Sequence, residues 1–253
     1  MTSPIPPMPI IPAPPGVGTK LMVSVLIVTA LLLWWALSAE RKRGPILPFI
    51  LIGTSLSAIL LESVFDNTLL YWWPSQNPLA LFYSYGREIP WSVVIGYAWL
   101  FGGASYFLWR KFERGVTLGQ SIAYFFLLVF IDWLAISIAQ WTNQSAFYGN
   151  QPFQLIGSPL WFSFADAAGG FALGAAMYGL LPHLHGPRKL LLLLLPTFIY
   201  GGVLGSTTGP VAQALNSGWS TPVVWLCGAA TIALCCILVF VLARILAAVG
   251  PRQ

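Results

Sequence analysis

Along the chain, apolar runs of about twenty residues alternate with short connections rich in Gly, Pro and polar residues, a spacing suited to a hydrocarbon layer of about 30 Å. The runs predict seven membrane-spanning helices, over residues 21–38, 46–70, 91–109, 117–141, 159–181, 190–213 and 221–247. A barrel would instead show short alternating strands, so the expected fold is all-α: a polytopic seven-transmembrane-helix bundle. Ahead of it, TSPIPPMPIIPAPPGVG is proline-rich and predicts an extended, disordered tail over 1–19. A single transmembrane domain over 20–249 and a short C-terminal tail over 250–253 complete the expected organisation.

Composition supports this reading, with 57% hydrophobic and 8% charged residues against about 25% charged in soluble domains. The net charge of +5 does not point to nucleic acid, because the basic residues form short clusters at span ends. Arg41, Lys42 and Arg43 follow the first span, Arg110, Lys111 and Arg114 the third, and Arg188 and Lys189 the fifth, with Arg244 and Arg252 near the end. The other connections carry Arg87 alone, so the positive-inside rule predicts an N-terminus outside, a cytoplasmic C-terminus and a multi-pass place in the cell membrane. Residues 20–39 have the outline of a signal peptide, but the basic residues follow the apolar run, and the span is expected to be retained.

Against this background the acidic residues carry information. Glu40 and Glu113 balance the basic connections and Glu88 lies in an outer loop, whereas Glu62, Asp66, Asp132 and Asp166 fall inside spans. At about 1.5 Å per residue, Glu62 and Asp66 lie roughly 24 and 30 Å up the second span, Asp132 roughly 23 Å up the fourth, and Asp166 roughly 10 Å down the fifth. Four carboxyls from three helices thus converge on the outer half of the membrane, where a charge costs a few kcal/mol unless paired, hydrated or protonated. Glu62 and Asp66, spaced i, i+4, share a helix face without a nearby intramembrane Lys or Arg. A carboxyl that keeps its proton there is a usable general acid, and these four are the candidate catalytic set.

Asn67, Thr207 and its polar neighbours reach the same level. The loops YWWPSQNPLALFYSYGREIPW and WTNQSAFYGNQPFQLIGSPLWF supply aromatic residues for a lid. Trp73, Tyr83, Tyr85, Arg87, Glu88, Tyr148 and Trp161 therefore join Asn67 and Thr207 as candidate substrate-binding residues, although single Trp and Tyr residues also serve as interface anchors. Arg87 has two expected partners, Glu88 or a carboxylate below. Gly201, Gly205 and Gly209, like Gly170 and Gly174, repeat every four residues and read as helix-packing faces. No metal or other cofactor is expected: Cys227, Cys235 and Cys236 lack ligand spacing, and His183 and His185 make too small a donor set. The last span has no lysine for a retinal Schiff base.

Two blocks, ESVFDNTLLYWWP with FYSYGREIPWSVVIGYAWLFGG and FYGNQPFQLIGSPLWFSFADAAGG, resemble the AveC-like spirocyclase family of actinobacterial membrane proteins, with Ser63 at an expected proline. They cover about a quarter of the chain. The resemblance implies spiroketal formation on polyketide-like substrates, in some members with a dehydration, but carries over no particular catalytic residue.

The residues suit that chemistry: a proton donor, a carboxylate beside a developing oxocarbenium ion and aromatic walls. The same inventory suits a membrane terpene or meroterpenoid cyclase that protonates an olefin or epoxide. A proton-coupled small-molecule carrier is the expectation from another class, weakened by the lack of an inverted repeat; a purely structural membrane subunit is a fourth. The expected partners are a hydrophobic small molecule and the lipid bilayer.

Overall fold

The computed structural model describes residues 6–10, 12, 14–38, 44–75 and 79–251 of the chain. The basic cluster 41–43, Glu40 and Arg252 lie outside the described residues, as does part of the proline-rich tail. Seven helical stretches are long and apolar enough to cross a membrane. The first, second and fourth are α1 (Val17–Ser38), α2 (Ile46–Leu69) and, after an interrupted third, the capped helix Leu118–Trp141. The second span is followed by strands β1 (Tyr71–Trp72), β2 (Ala80–Ser84) and β3 (Arg87–Pro90).

The third span is composite: α3 (Trp91–Tyr97), a π-helical turn over Ala98–Gly103, and α4 (Ala104–Glu113). The wide turn passes close to α2, since a Cβ on Gly102 would stand 2.7 Å from Thr54 Oγ1. α5 (Leu118–Trp141) then starts at a capping box in which Thr117 and Gln120 satisfy each other's backbone N–H groups. Strands β4 (Ala146–Phe147), β5 (Gln154–Leu155) and β6 (Ser158–Pro159) lead into α6 (Leu160–Leu180).

The sixth span differs from the expected 190–213. It begins in a 3₁₀ segment, Gly186–Leu193, continues as α7 (Leu195–Thr207) and stops at Thr208; Gly209–Asn216 forms a separate helix, α8. Pro210 accounts for the break, because it donates no backbone N–H and favours the first turn of a new helix. The last span is α9 (Thr221–Val249).

α6 occupies the centre, packed against α4, α5, α7 and α9. Its sequence ADAAGGFALGAA supplies the small faces that close packing between membrane helices needs. Gly174 lies tightly under Leu108, and Gly201 under Leu61. Gly205 and Gly209 border open space, so the four-residue repeat on α7 packs at one position and not along its length. α1 is peripheral: it packs on α3 and the π turn and leaves most of its surface outward.

The two ends differ. At one, Lys189 approaches Gly44, Gly115 lies against Pro251, and the Tyr178 hydroxyl donates to Gly250 O at 2.8 Å, gathering the described basic span ends together. At the other, the loops form a lid. α2 stops where Leu70 adopts the left-handed conformation, φ 55°, and its N–H bonds Asp66 O. Tyr71 and Trp72 then pair antiparallel with Phe147 and Ala146, tying the two lid loops together. β2 and β3 form a hairpin whose two turn residues, Tyr85 and Gly86, both have positive φ, the I′ geometry that matches strand twist. Of the described tail residues, Pro12 bridges Ser75 and Pro6 lies against Gly149, and α1 begins at Val17, inside the segment expected to be tail.

Candidate functional site

Beneath the lid, Glu62 and Asp66 sit one turn apart on α2 with side chains almost wholly buried. Glu62 is held at both oxygens: Trp73 Nε1 donates to Oε1 at 3.1 Å, and the Tyr97 hydroxyl donates to Oε2. Asp66 is differently placed, with Oδ2 buried and without a hydrogen-bond partner among the described residues.

From α6, Asp166 Oδ1 accepts a 2.7 Å hydrogen bond from the Tyr200 hydroxyl of α7. Gly169 makes this possible: a Cβ there would stand 2.5 Å from Tyr200 Cδ2, so only a residue without one lets the ring approach Asp166. Tyr200 and Tyr97 pack edge to face at 5.8 Å between centroids. The two phenols therefore stand between Glu62 and Asp166, each bonded to one carboxyl.

Glu62, Asp66 and Asp166 line one cavity of about 130 Å³, with Tyr71, Trp73, Tyr97, Trp99, Phe101, Phe162 and Tyr200 among its walls. Asp132, on α5, does not line it. It lines an adjoining cavity of about 370 Å³ that shares Asp166, Trp99, Leu100 and Phe101 with the first. The convergence of four carboxyls on one level thus resolves into two chambers, with Asp166 and the π turn common to both. Both Asp132 oxygens are buried and lack a hydrogen-bond partner among the described residues.

Other candidates divide between lid and core. Arg87 is buried; its Nη2 donates to Tyr148 Oη at 2.6 Å, Asn67 Oδ1 at 3.2 Å and the backbone oxygen of Asp66 at 3.4 Å. It thereby reaches down to Asp66 through the carbonyl and ties the hairpin to α2 and the second loop. Asn67 Nδ2 donates to Ser63 O and Tyr85 O, a positioning role.

Tyr83 and Tyr85 are 72% and 73% exposed at the hairpin, and neither they nor Glu88 lines either chamber. Trp161 is a core residue under the lid, packed with Leu69, Leu70 and Val211. Thr207 bonds Val203 O within its own helix. Trp73 is the candidate binding residue that both lines the chamber and touches a carboxyl.

Tyr97 and Tyr200 were not singled out from sequence. Their signal is a tyrosine well inside an apolar span, where the hydroxyl needs a partner more than at the interface. Among the described residues no three His, Cys, Asp or Glu side chains group closely enough to hold a metal ion.

Comparison of the chain with family models, with curated proteins and with solved structures finds no match. The fold and site therefore define a class, a seven-helix membrane protein with an acidic and aromatic chamber beneath its loops, and the functional reading rests on the site's own chemistry.

Proposed function

We propose that the protein is a membrane-embedded acid/base cyclase acting on a hydrophobic molecule, with dehydrative spiroketal formation as its reaction. The observation that carries this reading is that carboxyls from two helices line one aromatic chamber with unequal hydrogen bonding. Glu62, accepting from two donors, suits the lasting carboxylate. Asp66, with an oxygen free of partners, suits the proton donor.

On a dihydroxyketone, one hydroxyl adds to the carbonyl to give a hemiketal. Asp66 protonates the hemiketal hydroxyl and water leaves. The resulting oxocarbenium ion lies against the Glu62 carboxylate and the faces of Trp73, Tyr97 and Phe101. The second hydroxyl attacks the cationic carbon and surrenders its proton to the Asp66 carboxylate, restoring the donor with net loss of one water.

The aromatic walls also favour a second reading, protonation-initiated cyclisation of an isoprenoid, whose product keeps the mass of its substrate. A proton carrier is less well supported, since the buried acids among the described residues gather toward the lid. The positive-inside rule, applied to the basic span ends, supports a lid that faces outward from the cell membrane.

Membranes carrying the protein, given a lipophilic dihydroxyketone, should yield a product lighter by one water. Asp66→Asn and Glu62→Gln should abolish it while leaving the detergent-extracted protein monodisperse. Undiminished conversion by both variants would remove the assignment, and a product of unchanged mass from an isoprenoid would favour the second reading.

A further inference from the structure

The larger chamber is a trench. α4 and α5 both pack against α6, and between them Ala167 and Gly170 form a floor of small residues. One wall is Trp99, Leu100, Phe101, Ala104 and Phe107; the other is Leu127, Leu128 and Ile131. Toward the basic end, Phe107 of the lining meets Tyr124 edge to face at 5.9 Å. Its rim residues Phe107, Leu127 and Ile131 are exposed, and in a seven-span bundle an exposed apolar rim at mid-span faces lipid.

Asp132 sits at the other end of this apolar trench. It is 3% exposed, and neither carboxyl oxygen has a hydrogen-bond partner among the described residues. An acceptor left bare in such surroundings is costly. Ser163 and Asp166 stand beside it on α6 without meeting it in hydrogen-bond geometry, and a turn of its side chain toward the trench would present the carboxyl to an entering donor. Asp166 beside it has one oxygen already committed to Tyr200.

The lining carries two acids and no basic side chain. An anionic head group is therefore repelled, and an ammonium would have to shed its water in an apolar slot. A hydroxyl meets neither obstacle. A volume of about 370 Å³ falls in the range of about 300–1,000 Å³ usual for small-molecule sites, whereas the inner chamber, at about 130 Å³, takes only the reacting end of such a molecule.

From these observations we infer that the α4–α5 trench is a lateral binding site that takes an uncharged, long-chain alcohol directly from the bilayer, with Asp132 accepting its hydroxyl. The shared residues Trp99, Leu100, Phe101 and Asp166 make the trench continuous with the inner chamber, so an alcohol held at Asp132 has its polar end at the threshold of the reaction site. This rests on the proposed cyclase reading for its purpose, though binding itself does not require turnover.

The test uses the full chain in nanodiscs, in the Asp66→Asn background, with a long-chain primary alcohol bearing a diazirine midway along its chain. Photolabelling should fall on α4 and α5 residues that line the trench, such as Phe107, Leu128 and Ile131. Unlabelled alcohol should compete, while a carboxylate or alkane of equal length should not. Asp132→Leu, which keeps size and removes the acceptor, should weaken labelling by about tenfold or more. Ala104→Phe should block labelling with Asp132 intact, and melting temperatures close to or above the parent's would show that both variants remain folded.

Equal competition by alcohol, carboxylate and alkane would mean that bilayer chains simply fill the trench, and would overturn the inference. So would labelling indifferent to Asp132→Leu in folded protein. If labelling behaves as expected but no cyclised product is ever found, the cyclase reading fails and the binding site stands. If Asp66-dependent turnover is found and labelling ignores Asp132, the reverse holds.

Discussion

Gly169→Ala tests whether the Tyr200–Asp166 contact is part of the working site. The added Cβ would stand 2.5 Å from Tyr200 Cδ2 and 3.0 Å from Cε2, on a helix pair already packed closely. An ordinary carbon–carbon contact is about 3.5–4.0 Å, so the ring must withdraw by about 1 Å. The present 2.7 Å hydrogen bond to Asp166 then stretches beyond bonding range. Overpacking of this kind costs about 1–3 kcal/mol, and loss of a hydrogen bond to a charged group about 1.5–3 kcal/mol.

If Asp166 works in a fixed geometry, a displacement of this size lowers turnover by about a hundredfold. Tyr200→Phe, which removes the hydroxyl without the clash, should lower turnover to a similar degree with a smaller loss of melting temperature. The double variant should lose little more activity than either alone, because both act through one bond. The assay pairs turnover in membranes with thermal unfolding in detergent. Full activity in Gly169→Ala with a melting temperature lowered as expected would show that the Tyr200–Asp166 bond serves packing alone.

Tyr83→Ala and Tyr85→Asn should leave turnover within about twofold of the parent, since both side chains are exposed at the hairpin and neither lines a chamber; Asn is also favoured at positive φ. Arg87→Met should loosen the lid, seen as faster proteolysis or hydrogen exchange across residues 80–90 and 146–155, because it severs the bonds to Tyr148, Asn67 and Asp66 O. Thr117→Ala should cost about 1 kcal/mol of stability by removing the capping box of α5, with turnover unchanged, as a melting curve and the product assay would show together.

The spans were legible because each is a long apolar run, and Glu62, Asp66, Asp132 and Asp166 because charges interrupt such runs. What hydropathy does not encode is which helices are neighbours. That Asp132 shares a chamber with Asp166 while Glu62 and Asp66 line only the other depends on which faces of α2, α5 and α6 meet, a tertiary fact. AWLFGG reads as ordinary helix, yet it forms the π turn that walls both chambers. Tyr83 and Tyr97 differ little as letters; one lies at a hairpin in solvent and the other against Glu62 because their segments fold differently. Sequence exposed the cost of the acids but not the phenols and indole that meet part of it.

That cost bears on whether the acids are structural. Glu62 has donors for both oxygens and Asp166 for one, as acids retained for packing would. Asp66 Oδ2 and both oxygens of Asp132 have none among the described residues. Each buried polar atom left without a partner costs about 1–3 kcal/mol, so three amount to a substantial part of a stability margin of about 5–15 kcal/mol. A bundle that needed carboxyls only to hold helices together would gain by satisfying these atoms or by replacing them with apolar ones. The two residues that carry them line the chambers, so in the proposed reading a small turn of either side chain lets an entering hydroxyl supply the donor that the fold withholds, and the free energy lost to folding becomes available to binding and protonation.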